Sequence, residues 1–136
     1  MTRFLAAALL ALHGLIHLIG FVVPWGIAQV EGFPYRTSAL GGALALGDTG
    51  ARLVGVAWLV LAIGFLVAAL GVWRGAAWAV PVSAVLAGAS IVVCALGLPE
   101  AVFGIVVNVA VLAAAGWVAL GRGGAAARPV RAPRRD

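Results

Sequence analysis

The sequence has little of what a soluble or catalytic domain requires. Only 10% of its 136 residues are charged and 65% are hydrophobic, whereas a soluble domain has about 25% charged and 45–50% apolar residues. Lysine is absent and Cys94 is the single cysteine, which excludes an intramolecular disulfide and a cysteine-based metal cluster. Phosphate-loop, dinucleotide-binding and G-x-S-x-G motifs are also missing. These absences point to a membrane protein that is not an enzyme.

The positive charge is concentrated at one end of the chain. The formal net charge is +5, but five of the nine arginines lie in the last 15 residues. Residues 121–136 have no apolar periodicity, so we expect a basic, disordered cytoplasmic tail and no nucleic-acid partner. Its arginines are placed to meet anionic lipid headgroups: Arg122, Arg128, Arg131, Arg134 and Arg135.

Four segments are apolar enough to cross a bilayer, which takes about 20 residues. They cover about residues 4–23, 53–72, 77–96 and 101–120, and none contains a charged residue. The first segment is longer than the usual run of about 7–15 apolar residues of a signal peptide, and no good A-x-A site follows it, which favours a retained helix. The sequence therefore predicts an all-α, membrane-embedded antiparallel four-helix bundle over residues 1–120.

Arginine placement predicts the orientation of this bundle. Both termini share one side with Arg74, and that side carries seven of the arginines. The opposite side has two, with three acidic residues, so both termini are expected in the cytoplasm of a bacterial cell. The charged residues of the outer face are Arg36, Arg52, Glu31, Asp48 and Glu100.

The outer loop, residues 24–52, is the longest connection between the predicted spans. Its apolar stretch SALGGALALG is predicted to form a short helix on the outer surface or in the mouth of the bundle. Asp48 or Thr49 is expected to cap the second helix. All five tryptophans lie near predicted span ends, which is typical of an interfacial aromatic belt: Trp25, Trp58, Trp73, Trp78 and Trp117.

Two histidines lie within the first span, in LHGLIHLIGF. Polar side chains at membrane depth are costly and are therefore candidate functional residues. His13 and His17 are four residues apart, so they share one helix face with Gly20, and this face is expected to contact other helices. Two rings on one face cannot supply both axial ligands of one haem. Two ligands are also too few for a zinc site, so we expect no metal and no cofactor.

Asn108 is the matching polar group in the fourth span. At a rise of about 1.5 Å per residue, His17 and Asn108 lie at similar depth on antiparallel helices. We therefore expect a polar contact between the first and fourth helices centred on His17 and Asn108, with Gly104 allowing close approach. The simplest role of His13, His17 and Asn108 is to hold the bundle together.

The remaining polar residues of the spans have ordinary structural interpretations. Ser83 and Ser90 are expected to bond to backbone carbonyls of their own helix, and Cys94 to be a small buried residue. Glu100 begins the fourth helix, where a negative charge complements the helix dipole.

Three ordered motifs, HGLIHLIGF, RLVGVAWL and FGIVVN, resemble those of a family of bacterial four-helix membrane proteins of unknown function. The resemblance covers His13 to about Leu120. Some members are labelled permeases, and some continue into a soluble domain. The family's S-D-A-K-F-G-T appears here as PEAVFGI. Glu100 thus occupies the position of the aspartate in the family motif, while Val102 and Ile105 occupy the positions of the lysine and the threonine.

Three functions are compatible with these observations. The first is a non-enzymatic module that binds lipid, a partner protein or a second copy of itself. The second is a proton- or redox-linked membrane component that uses His13 and His17. The third is a small transporter subunit, although broken helices and charged midplane residues typical of transporters are missing from the spans.

Overall fold

A computed structural model describes residues 2–126 and contains four long helices. The helices are α1 (Thr2–Val22), α2 (Gly47–Arg74), α3 (Ala79–Leu96) and α4 (Val102–Ala126). Each is long and apolar enough to cross a membrane by length and composition. The prediction of an all-α chain with four such helices is confirmed.

Two helices are longer than predicted. α2 begins at Gly47, six residues before the predicted start at residue 53, because the helix continues through the charged segment DTGAR. α4 continues to Ala126, six residues beyond the predicted end at residue 120, so the first part of the predicted tail is helical. The rest of that tail, residues 127–136, lies outside the described residues.

The outer loop forms a small hairpin where the sequence predicts a short helix. Strand β1 (Ser38–Ala39) pairs antiparallel with β2 (Leu44–Ala45) around a single 3₁₀ turn, Leu40–Gly42. Two of the three residues of this turn are glycines, which adopt positive φ angles at little cost, 65° at Gly41 and 99° at Gly42. The amide of Gly41 donates to the carbonyl of Leu98 at 3.2 Å, which ties the hairpin to the α3–α4 connection.

The helices pack in chain order, α1 on α2, α2 on α3 and α3 on α4, whereas α1 and α4 approach each other little. Gly14 permits the close α1–α2 crossing. A Cβ atom at Gly14 would lie 3.0 Å from the Phe65 Cβ and 3.1 Å from the Ala62 carbonyl oxygen. The apolar core is centred on Leu10, Phe65, Ala69 and Ala87. The bundle is therefore closely packed between consecutive helices but not between α1 and α4.

Candidate functional site

A buried polar cluster joins α1, α3 and α4. We define it as His13 and His17 of α1, Ser90 of α3 and Asn108 of α4. Exposure falls from 5% at His13 to 1% at His17 and 0% at Ser90 and Asn108. Buried polar groups are costly unless they are hydrogen-bonded, and each of these four residues makes hydrogen bonds.

Asn108 is the centre of the cluster. Its Oδ1 lies 3.0 Å from Nε2 of His13, and its Nδ2 donates to Oγ of Ser90 at 2.7 Å. The same Nδ2 donates to the carbonyl oxygen of Gly104, one turn earlier in α4, at 2.8 Å. A single amide therefore connects its own helix to both α1 and α3.

His17 is bound through both ring nitrogens. Nδ1 lies 2.8 Å from the carbonyl oxygen of His13, and Nε2 lies 2.7 Å from Oγ of Ser90. Ser90 thus lies between His17 and Asn108, so the four side chains form one continuous hydrogen-bonded chain.

The predicted contact between α1 and α4 exists, but its residues differ from the expectation. Asn108 contacts His13 directly, and it reaches His17 only through Ser90. The direct partner of Asn108 therefore lies one turn earlier on α1 than the rise per residue predicts. Gly104 faces α3 rather than α1, since a Cβ there would lie 2.7 Å from Sγ of Cys94.

The two serines of α3 have different partners. Ser83 donates to the carbonyl oxygen of Ala79 at 2.8 Å, as predicted. Ser90 instead bonds to side chains of α1 and α4, because the bundle places it at the junction of three helices. Cys94 is fully buried one turn further along, with Sγ 3.8 Å from Oγ of Ser90.

Aromatic rings from α2 enclose the histidines. The ring centroid of Phe65 lies 4.8 Å from that of His13 and 5.2 Å from that of His17. Trp58 lies 5.1 Å from His17 and covers Gly20, where a Cβ would lie 2.4 Å from the indole. Trp58, which the sequence assigns to an interfacial aromatic belt, forms part of the wall around the polar cluster.

A cavity of about 250 Å³ extends from the histidines to the end of the bundle where α1 ends and α4 begins. Its walls are mainly apolar, and they come from α1, α2, α4, the outer loop and the α3–α4 connection. His13 and His17 line its inner part, while Arg36 and Glu100 line its outer part.

The cavity is open between α1 and α4. Ile16 on α1 and Phe103 and Val107 on α4 line it, yet these residues are 52%, 80% and 42% exposed. A residue that lines a cavity and is also exposed marks an opening. The lateral surface of the bundle is therefore continuous with the space beside the histidines.

The charged residues predicted for the outer face do not form one site. Glu100 bonds to Arg36, with Nη2 and Oε1 2.7 Å apart. Asp48 accepts a hydrogen bond from the Tyr35 hydroxyl at 2.6 Å, and this bond raises the pKa of Tyr35.

No side chain caps the start of α2, so the predicted cap by Asp48 or Thr49 does not form. Arg52 is bound through its backbone carbonyl oxygen, which accepts a hydrogen bond from the indole N–H of Trp25 at 3.2 Å.

Of the predicted headgroup-binding arginines, Arg122 lies within α4; Arg128, Arg131, Arg134 and Arg135 lie outside the described residues. Within residues 2–126, no three His, Cys, Asp or Glu side chains are grouped so that they could hold a metal ion.

The fold and the site define a class: a four-helix, all-α chain with a buried polar cluster beside a laterally open apolar cavity. No protein-family model, curated protein or solved structure matches this chain.

Proposed function

We propose that this chain is a multi-pass protein of the bacterial cytoplasmic membrane, a non-enzymatic module that binds a lipid-like molecule between α1 and α4. Both termini lie in the cytoplasm. The resemblance to bacterial four-helix membrane proteins supports this proposal, as does the arginine bias of the sequence.

Membrane insertion is supported by the exposed apolar surface. Large apolar side chains are exposed on every helix, including Leu9 at 60%, Leu53 at 66%, Val85 at 72% and Trp117 at 81%. Contiguous apolar surface of this kind is unfavourable in water, whereas acyl chains solvate it. The charged pair Arg36–Glu100 lies outside the helices or at their ends, as a bilayer requires.

Lipid binding is supported by one observation above all, the lateral opening of the cavity. Val107 lies five residues into α4, about 8 Å along the helix, and His13 lies nine residues before the end of α1, about 13 Å along it. In the proposed membrane, the opening therefore faces acyl chains. An apolar chain can enter it without crossing water.

Photolabelling tests this function. The protein is reconstituted in phosphatidylcholine–phosphatidylglycerol vesicles with a trace of photoactivatable diacylglycerol or, separately, photoactivatable phosphatidylcholine. We expect saturable labelling of Ile16 and Val107 by at least one probe. Labelling of Val85 on α3, which is exposed but outside the cavity, should not saturate. Non-saturable labelling at all three residues with both probes would contradict lipid binding.

A matched pair of variants localises the binding. Ile16→Trp fills the lateral opening, while Ile63→Trp places the same ring at a similarly exposed position, 54% against 52%, outside the cavity. Saturable labelling of Val107 should be lost in the first variant and retained in the second. Equal labelling in both would place the lipid elsewhere.

A proton-linked function is the second candidate, and it is favoured by the hydrogen-bonded chain that includes both imidazoles. Proton flux into vesicles under a pH gradient distinguishes it from the first. We expect no more flux than in protein-free vesicles. Flux that is lost in His13→Phe would favour the second candidate.

A further inference from the structure

We propose that the bound molecule has an uncharged hydroxyl head, which donates a hydrogen bond to Nδ1 of His13. This proposal rests on the proposed lipid binding. It concerns the chemical class of the ligand, which follows from the direction of each hydrogen bond in the polar cluster.

Two backbone carbonyls set this direction, because a carbonyl oxygen can only accept. The His13 carbonyl lies 2.8 Å from Nδ1 of His17, so that nitrogen has the proton. Nε2 of a neutral His17 then accepts from the hydroxyl of Ser90. At the other end, the Gly104 carbonyl lies 2.8 Å from the side-chain amide of Asn108. The amide NH₂ group must therefore point there.

The orientation of Asn108 determines the tautomer of His13. With its NH₂ group toward Gly104 and Ser90, Asn108 presents Oδ1 to Nε2 of His13. Nε2 of His13 must donate to this oxygen. In a neutral imidazole the other nitrogen is then an acceptor, so Nδ1 of His13 offers a lone pair.

This lone pair lies at an atom that is in contact with accessible space. Nδ1 of His13 makes no hydrogen bond within residues 2–126, although the His13 side chain is only 5% exposed. Every fully buried side-chain nitrogen or oxygen of the described residues has a partner. Nδ1 is therefore not fully enclosed, and the space that His13 borders is the cavity.

A lone pair at this position selects among headgroups. An ether or ester oxygen would face it with a second lone pair, whereas a hydroxyl can donate to it. A charged head would be strongly disfavoured about 13 Å inside the bundle. The best match is a neutral long-chain alcohol, such as a diacylglycerol or a polyprenol, whose chain leaves between Ile16 and Val107.

Competition between two probes of equal length tests the proposal. Photoactivatable diacylglycerol that labels Val107 saturably is displaced with 1-hexadecanol or with its isomer pentadecyl methyl ether, which has the same atoms in its chain but no hydroxyl donor. At equal mole fraction in the bilayer, the alcohol should displace the label about tenfold more effectively, which corresponds to about 1.4 kcal/mol.

Variants test whether His13 is the acceptor. His13→Phe keeps an aromatic ring against Phe65 but removes the lone pair, so the alcohol and the ether should compete equally. Ser83→Ala removes a hydroxyl that bonds only within α3, and it should retain the tenfold difference. The comparison in the unchanged protein remains decisive even if His13→Phe does not fold.

The outcomes separate this inference from the function on which it rests. Equal displacement by alcohol and ether in the unchanged protein, or stronger displacement by the ether, overturns the hydroxyl assignment and leaves lipid binding intact. Failure of both competitors while saturable labelling persists also overturns it. Loss of all saturable labelling removes lipid binding and the inference together.

Discussion

The two sides of α1 contact the neighbouring helices in different ways. Toward α2, α1 presents Leu10 and Gly14, and the backbones approach so closely that a single added Cβ at Gly14 would meet Phe65 and Ala62. Toward α4, the direct connection is the hydrogen bond from His13 to Asn108, beside an open cavity. One helix therefore combines a close apolar contact on one side with a polar contact beside open space on the other.

The largest expected effect is on the α1–α2 side. Gly14→Leu forces a side chain into a space that is already filled, and overpacking of this kind costs about 1–3 kcal/mol. We expect a loss near the upper end of that range in the free energy of unfolding, measured by denaturation in mixed micelles.

Gly116→Leu in α4 is the matched control for this variant. An added Cβ at Gly116 has no neighbour within 4 Å, so the same substitution should change stability little. If both variants were equally destabilised, close packing around Gly14 would not be the cause, since helix propensity alone favours leucine over glycine at both positions.

An intermediate effect is expected at the α1–α4 side. Asn108→Leu leaves the His13 N–H without its acceptor and removes the amide that donates to Oγ of Ser90. Unpaired buried polar groups cost about 1–3 kcal/mol, and hydrogen bonds in membranes average only about 0.6 kcal/mol. We therefore expect a loss of about 1–2 kcal/mol by the same unfolding measurement.

The double variant His13→Phe/Asn108→Leu measures the coupling directly. A coupling energy between the two positions of about 0.6 kcal/mol or more is expected. Strict additivity would show that the 3.0 Å contact contributes nothing to stability.

The smallest effect is expected at the outer end of the cavity. Arg36 is about half exposed, with its side chain at 48%, and Glu100 is at 17%. Partly exposed ion pairs contribute about 1 kcal/mol or less and are screened by salt. A double-mutant cycle with Arg36→Gln and Glu100→Gln should give a small coupling that decreases between low and high salt. A coupling larger than the loss of stability measured for Asn108→Leu would contradict this ranking.

The four helices and the polar face of α1 could be predicted from the sequence. The helices depend only on the length of the apolar segments, and the face depends only on residue spacing within one helix. Pairing between helices depends on tilt and stagger, which no single segment encodes. Spacing along the chain therefore favours His17, whereas the structure pairs His13 with Asn108. Ser90 was missed for a similar reason. A serine within a helix usually bonds to its own backbone, and its distance from other helices cannot be read from spacing.

The outer loop shows a second limit of sequence-based interpretation. SALGGALALG resembles an apolar helix by composition, but its glycines adopt left-handed conformations that form a turn. A span that begins at residue 53 predicts that Trp58 lies close to a helix end and gives no sign of a contact with His17. With α2 starting at Gly47, Trp58 lies three turns inside the helix and beside His17.

The hydrogen bonds of the polar cluster all point in the same direction along the cluster. Its hydrogen bonds run head to tail from the cavity through His13, Asn108, Ser90 and His17 to the carbonyl of His13. Aligned hydrogen bonds of this kind strengthen one another in a medium of low dielectric constant. A donor that arrives at Nδ1 of His13 would therefore extend a dipole chain across three helices, and occupancy of the cavity would tighten contacts that the ligand never touches.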